Sequence, residues 1–156
     1  MEWRHLTEVL KRYGELLCTK YKTYAPEASG RLVDTARFEV RHNDTVYEVG
    51  LYLQDYWYYV ENGRKAGKFP PLSKIEEWIR VKPVIPRPYN GKLPTEKQLV
   101  FLIGRKIAEE GTEGKHPLER SVEEVNNELL MSIKMAILED IGDDLDTVLV
   151  MLGNRK

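Results

Sequence analysis

Three histidines, one cysteine and a run of carboxylates are the side chains with which this sequence could do chemistry. Histidine is the group that most often acts as general base or metal ligand near neutral pH. His5, His42 and His116 stand far apart, and none belongs to a spacing such as H-E-x-x-H that sets two imidazoles on one helix face. They read as surface or capping groups. Cys18 is the single cysteine, so an intrachain disulfide and a thiolate metal site are excluded. At the end of an apolar helical pattern it reads as a buried, inert thiol. No glycine-rich phosphate loop is present: Gly104-Arg105-Lys106 falls inside a helical pattern, and Asn62-Gly63-Arg64 is too short to cradle a phosphate. Asn43-Asp44-Thr45 matches a glycosylation sequon by letters alone. Glu139, Asp140, Asp143, Asp144 and Asp146 crowd into eight residues with no base among them. A metal-dependent nuclease would use such a cluster, and a solvated acidic helix end has the same composition. The expectation is a non-enzyme, with no catalytic, cofactor or metal site.

Two features rise above this background. Tyr56-Trp57-Tyr58-Tyr59 is a run of four aromatics. On a strand, Tyr56 and Tyr58 would face one way while Trp57 and Tyr59 face the other, so one fold core covers only half of them. Tyrosine and tryptophan are favoured at protein interfaces. The second feature is charge asymmetry. From Glu61 to Lys92 there are eight basic residues against three acidic ones, whereas the chain carries only −1 in total. Arg64, Lys65, Lys68 and Arg87 on this side, with Asp143 and Asp144 on the other, suit head-to-tail contact between copies, the kind that closes into rings. Tyr56, Trp57 and Tyr59 complete the candidate interface. The same basic stretch, interleaved with Phe69, Trp78 and Tyr89, also suits contact with nucleic acid.

The elements that position these residues follow from periodicity. Residues 3 to 17 repeat apolar side chains at steps of three and four, an amphipathic helix that must stop before Pro26. Gly14 costs that helix about 1 kcal/mol relative to alanine. Residues 37 to 41 and 46 to 53 alternate about the turn chemistry of His42-Asn43-Asp44-Thr45, which makes a hairpin, and Tyr56 to Val60 reads as a third strand. Residues 62 to 71 form a basic loop. Ser73 and Glu76 have capping-box spacing for a short helix carrying Ile75, Trp78 and Ile79. Residues 82 to 92 hold three prolines and read as a loop or arm. Thr95 and Gln98 form a second capping box, with Leu99, Leu102, Ile103 and Ile107 as its stripe and Gly111 as its stop. Pro117 suits the first turn of a last helix, striped by Leu118, Val122, Val125, Leu129, Ile133 and Ile137, that ends at Gly142. Residues 143 to 156 form a tail whose apolar run, Val148 to Leu152, fits a strand or a docking helix. The result is a single α+β domain over 1–156: a small antiparallel sheet of three to four strands against an N-terminal helix and two to three C-terminal helices.

The whole chain agrees with this scale. Its 156 residues are enough for one core, with 42% hydrophobic and 31% charged. No run nears the roughly 18 apolar residues of a membrane span. Met1-Glu2-Trp3-Arg4-His5 opens straight into an amphipathic pattern, without a signal peptide's apolar stretch.

Across residues 20 to 126 the order of short motifs resembles the tail-completion and head–tail joining proteins of tailed bacteriophages and prophages. Ala25-Pro26-Glu27-Ala28-Ser29-Gly30-Arg31-Leu32 is similar to the family's alanine-proline, then threonine-glycine-arginine-leucine segment, with Ser29 in place of threonine. Tyr58-Tyr59-Val60-Glu61-Asn62-Gly63 resembles its aromatic-valine-glutamate-x-glycine. Pro70-Pro71 through Trp78-Ile79 resembles its proline and short tryptophan-bearing helix. Ala108-Glu109-Glu110-Gly111-Thr112 and Pro117-Leu118 look like the junction of its last two helices. The resemblance implies a structural virion protein of the neck or tail, made in the host bacterial cytoplasm. It implies rings, often sixfold, at the junction of capsid connector and tail, with copies of itself and other neck or tail proteins as partners and packaged DNA nearby. It implies no enzyme activity, no cofactor and no membrane. Pro83 to Pro88 and the tail after Asp140 lie outside it. The competing readings are a nucleic-acid-binding module built on 61–92 and a metal-dependent nuclease using Glu139, Asp140, Asp143 and Asp144.

Overall fold

A computed structural model describes residues 3–26, 34–43, 46–82, 84–88 and 91–153. The fold is mixed α+β with helix predominating. Among the described residues, four short strands fall into two separate antiparallel ribbons of two, in place of one sheet of three or four. Where the sequence reads as one domain, the contacts divide the chain into two compact units. The first comprises Met1–Thr23, Ala36–Leu53 and Leu118–Lys156, and the second Tyr24–Thr35 and Gln54–Pro117.

In the first unit, α1 (Arg4–Tyr24) buries Leu6, Leu10 and Leu17 of the stripe the spacing predicts, together with Gly14, Cys18 and Tyr21, while Leu16 is exposed. The hairpin of β1 (Arg37–His42) and β2 (Tyr47–Tyr52) pairs Arg37 with Tyr52 through His42 with Tyr47. Asn43 holds its turn, accepting the Val46 N–H on its side-chain oxygen at 2.9 Å; Asp44 and Thr45 lie outside the described residues. Gly14 is where hairpin and helix meet. A Cβ there would lie 2.2 Å from the Phe38 ring, so this glycine admits the aromatic side chain. The buried Cys18 thiol donates to the Ala36 carbonyl at 3.2 Å, as an inert structural thiol does.

The last helix, α5 (Pro117–Gly153), is 37 residues long and runs straight through Gly142, where the sequence reading has it end. A single glycine costs a helix about 1 kcal/mol, which is too little to end one without a left-handed stop or a proline. The tail from 143 to 153 is therefore helix. α1 and α5 lie antiparallel: Lys20 pairs with Glu124, Tyr13 donates to Asn126 at 2.9 Å, and Arg4 reaches Asp143 at 3.1 Å.

In the second unit, Trp57–Asn62 is a helix (α2) and not the third strand. It leads into β3 (Gly63–Arg64), which pairs with β4 (Thr112–Glu113). α3 (Leu72–Val81) buries Ile75 and half-buries Trp78 and Ile79. The Ser73–Glu76 capping box is not used, because the helix starts two residues earlier than that box requires, with Pro71 in place of Ser73 as its cap. In α4 (Glu96–Glu110) the Thr95–Gln98 box forms in both directions. Its buried residues are Val100 and Gly104; Leu102 is exposed, contrary to the expected stripe. The Phe69 ring lies against Gly104, stacked at a tilt on Phe101 with centroids 5.6 Å apart. Residues 84–88 form no regular structure, consistent with Pro86 and Pro88, which a helix interior does not accept.

Candidate assembly interface

The sequence-derived interface residues fall at three places. Tyr56 caps α2 and Trp57 to Tyr59 form its first turn. Helical neighbours are about 100° apart, so the aromatics fan outward instead of alternating between two faces. Trp57 meets Tyr58, and Tyr58 meets Tyr59, edge-on at 6.0 Å. Tyr56, Tyr58 and Tyr59 stay exposed, while Trp57 is half-buried.

The basic loop is more ordered than its composition suggests. Arg64 donates to the carbonyls of Lys68 and Phe69 at 3.2 and 3.3 Å, and its guanidinium lies 5.7 Å from the Tyr59 ring centre. It staples the loop, whereas Lys65, Lys68 and Arg87 are exposed. The loop is also sewn to the segment before α5. The Gly67 N–H donates to Ala108 O at 2.8 Å, and the Lys115 N–H to Val60 O at 2.8 Å. Gly63 and Gly111 sit at φ +73° and +76°, and a Cβ on Gly63, Gly111 or Gly114 would lie 2.2 to 2.3 Å from a facing carbonyl oxygen. Only glycine allows that approach. Two segments that carry the family resemblance, Tyr58 to Gly63 and Ala108 to Thr112, are thereby paired in space.

The acidic cluster is largely committed within its own unit. α1 has no acidic residue in its first turn, and Asp140 of α5 supplies one from 135 residues away. Its buried carboxylate accepts the N–H groups of His5 and Leu6 at 2.9 and 3.0 Å. Burial alone raises the pKa of this carboxyl. The Leu6, His5 and Arg4 backbone bonds and the His5 ring outweigh it, and hold the group below the usual carboxylate range. Asp143 contacts Arg4 at 3.1 Å and the His5 ring at 3.2 Å, and Glu139 lies 3.6 Å from that ring. Asp144 lines the same shallow recess. These carboxylates fasten one helix end to another.

The largest candidate surface escaped the sequence reading. Between Leu130 and Leu152, ten large apolar side chains of α5 are each more than half exposed. The side of the helix turned inward carries half-buried Val125, Leu129, Ile133 and Ile137 around buried Ser121, Ala136 and Asp140. A helix that is apolar on opposite sides is one whose second side is covered by something else. The spacing of these residues was readable; ending the helix at Gly142 cut the pattern in two. Among the described residues no helix is long and apolar enough to cross a membrane. Compared with protein-family models, curated proteins and solved structures, the chain matches none.

Proposed function

We propose that this protein is a non-enzymatic assembly component of the tailed-phage or prophage neck, which forms a ring with copies of itself at the head–tail junction or tail end and docks on other neck or tail proteins. The observation that carries the reading is the exposed apolar face of α5, a surface that isolated soluble proteins seldom leave open. The exposed tyrosines of α2 add a second patch of interface-favoured residues. The glycine-sewn pairing of two resemblance segments gives further support, since motifs that share one structural feature are less readily ascribed to chance. The use of Asp140 and Asp143 as fasteners of α1 leaves less of the acidic cluster to a metal-dependent nuclease. Light scattering over a range of concentrations, alone and mixed with portal-side and tail-side neck proteins, tests the proposal. Higher-order species are expected; a strict monomer in both conditions refutes it.

A second reading, contact with DNA, rests on exposed Lys65, Lys68 and Arg87. It requires affinity that falls steeply with salt, because each neutralised phosphate releases counterions. Salt-independent binding, or none, removes it.

A further inference from the structure

The exposed face of α5 has a period of its own. Met131, Met135, Leu138, Leu145, Leu149 and Leu152, with Gly142 completing the series, are separated by four, three, four, three, four and three residues. That is three heptads of a coiled-coil seam, with leucine at every seventh place from 138 to 152. The seam faces away from α1: Leu145 lies nine residues from the buried Ala136, about 900° of helical turn, on the opposite side. A generic apolar patch needs no such register; a partner helix with the same repeat does.

Resting on the assembly reading above, we propose that α5 pairs with α5 of a second copy of this chain, parallel and in register, along this seam. Flanking charges choose the direction. In a parallel pair the residue just before one core position faces the residue five places on in the other helix, which joins Lys134 to Glu139 twice, once from each copy. Both are exposed, although Glu139 also lies 3.6 Å from His5 of its own chain. Antiparallel pairing would set the edge carrying Glu139 and Asp146 against the same acidic edge of the other copy. Parallel, in-register helices are related by a two-fold axis along the seam, so this contact is isologous and closes as a pair, and the head-to-tail contacts of a ring fall to other surfaces. Gly142 leaves one layer of the seam unfilled, since open space surrounds the position a Cβ would take.

Sedimentation equilibrium of the full chain should show concentration-dependent association. Leu145→Glu should weaken it at least tenfold without changing the helix content, because the residue is exposed in the single chain. Gly142→Leu should tighten it. Lys134→Glu should weaken it and Lys134→Glu with Glu139→Lys should restore it. Because Cys18 is buried, a single added thiol reports register: Met131→Cys and Leu152→Cys should each cross-link to their own kind, which antiparallel helices forbid at both ends. Association untouched by Leu145→Glu, or cross-linking at neither end, overturns the helix pairing while leaving the assembly reading standing. A monomer that joins a ring only with neck partners has the same meaning. A monomer under every condition overturns both.

Discussion

Asp140→Ala removes the carboxylate that accepts the backbone N–H groups of His5 and Leu6 in the first turn of α1. Two charge-assisted bonds, to His5 and Leu6 at 2.9 and 3.0 Å, disappear, and their N–H groups are left at a partly buried helix end. Removing a helix cap costs about 0.5–2 kcal/mol, and stranding a buried donor costs about 1–3 kcal/mol. Relief of the carboxylate's own desolvation offsets part of this. A loss of about 2–4 kcal/mol is therefore expected, and Asp140→Asn, which keeps an acceptor but not the charge, should lose about half as much. The pH dependence has a definite sign. The folded pKa is lowered from 3.8, so the contribution is complete above that value and is lost as pH falls through the folded pKa. Urea unfolding of wild type and Asp140→Asn should differ down to about pH 4 and converge as pH falls further, through the folded pKa. Amide exchange at His5 and Leu6 should accelerate in both variants, a local readout that does not depend on unfolding being two-state. Asp140→Ala within about 0.5 kcal/mol of wild type at pH 7, with those amides still protected, would refute the capping role.

Three further outcomes are expected. Gly14→Ala should fail to deliver the roughly 1 kcal/mol gain that helix propensity offers, because its methyl would meet the Phe38 ring at 2.2 Å and overpacking costs about 1–3 kcal/mol; a more stable variant contradicts that packing. Arg64→Ala should destabilise the 62–71 loop by about 1 kcal/mol, seen as faster amide exchange, whereas Lys65→Ala should change nothing; equal effects would show that Arg64 is no staple. Incubation with DNA and added magnesium or manganese should yield no cleavage, and cleavage abolished by Asp143→Ala with Asp144→Ala would establish the nuclease alternative.

Elements governed by neighbouring residues were legible from the sequence. The periodicity of α1, the alternation of the β1–β2 hairpin, the Thr95–Gln98 capping box, Gly111 as a stop and Pro117 as a start all rest on interactions within a few residues. The candidate interface was legible in part. Tyr56 to Tyr59 was found by composition, but an aromatic run with high strand propensity folds as helix, and its exit at Gly63 pairs with Glu113, some fifty residues on, a contact that local propensity does not register. Arg64 reads as an interface residue like Lys65 because its acceptors within the loop are carbonyls, which composition does not reveal. Gly14 looked like a helix weakness until Phe38 filled the place of its side chain. Asp140 looked like one more acidic residue because the N–H groups it serves belong to the other end of the chain. The heptad seam lay in the sequence throughout, yet only a helix unbroken at Gly142 puts its two halves on one line, and only the packing of α1 on the opposite face leaves that line open to another molecule.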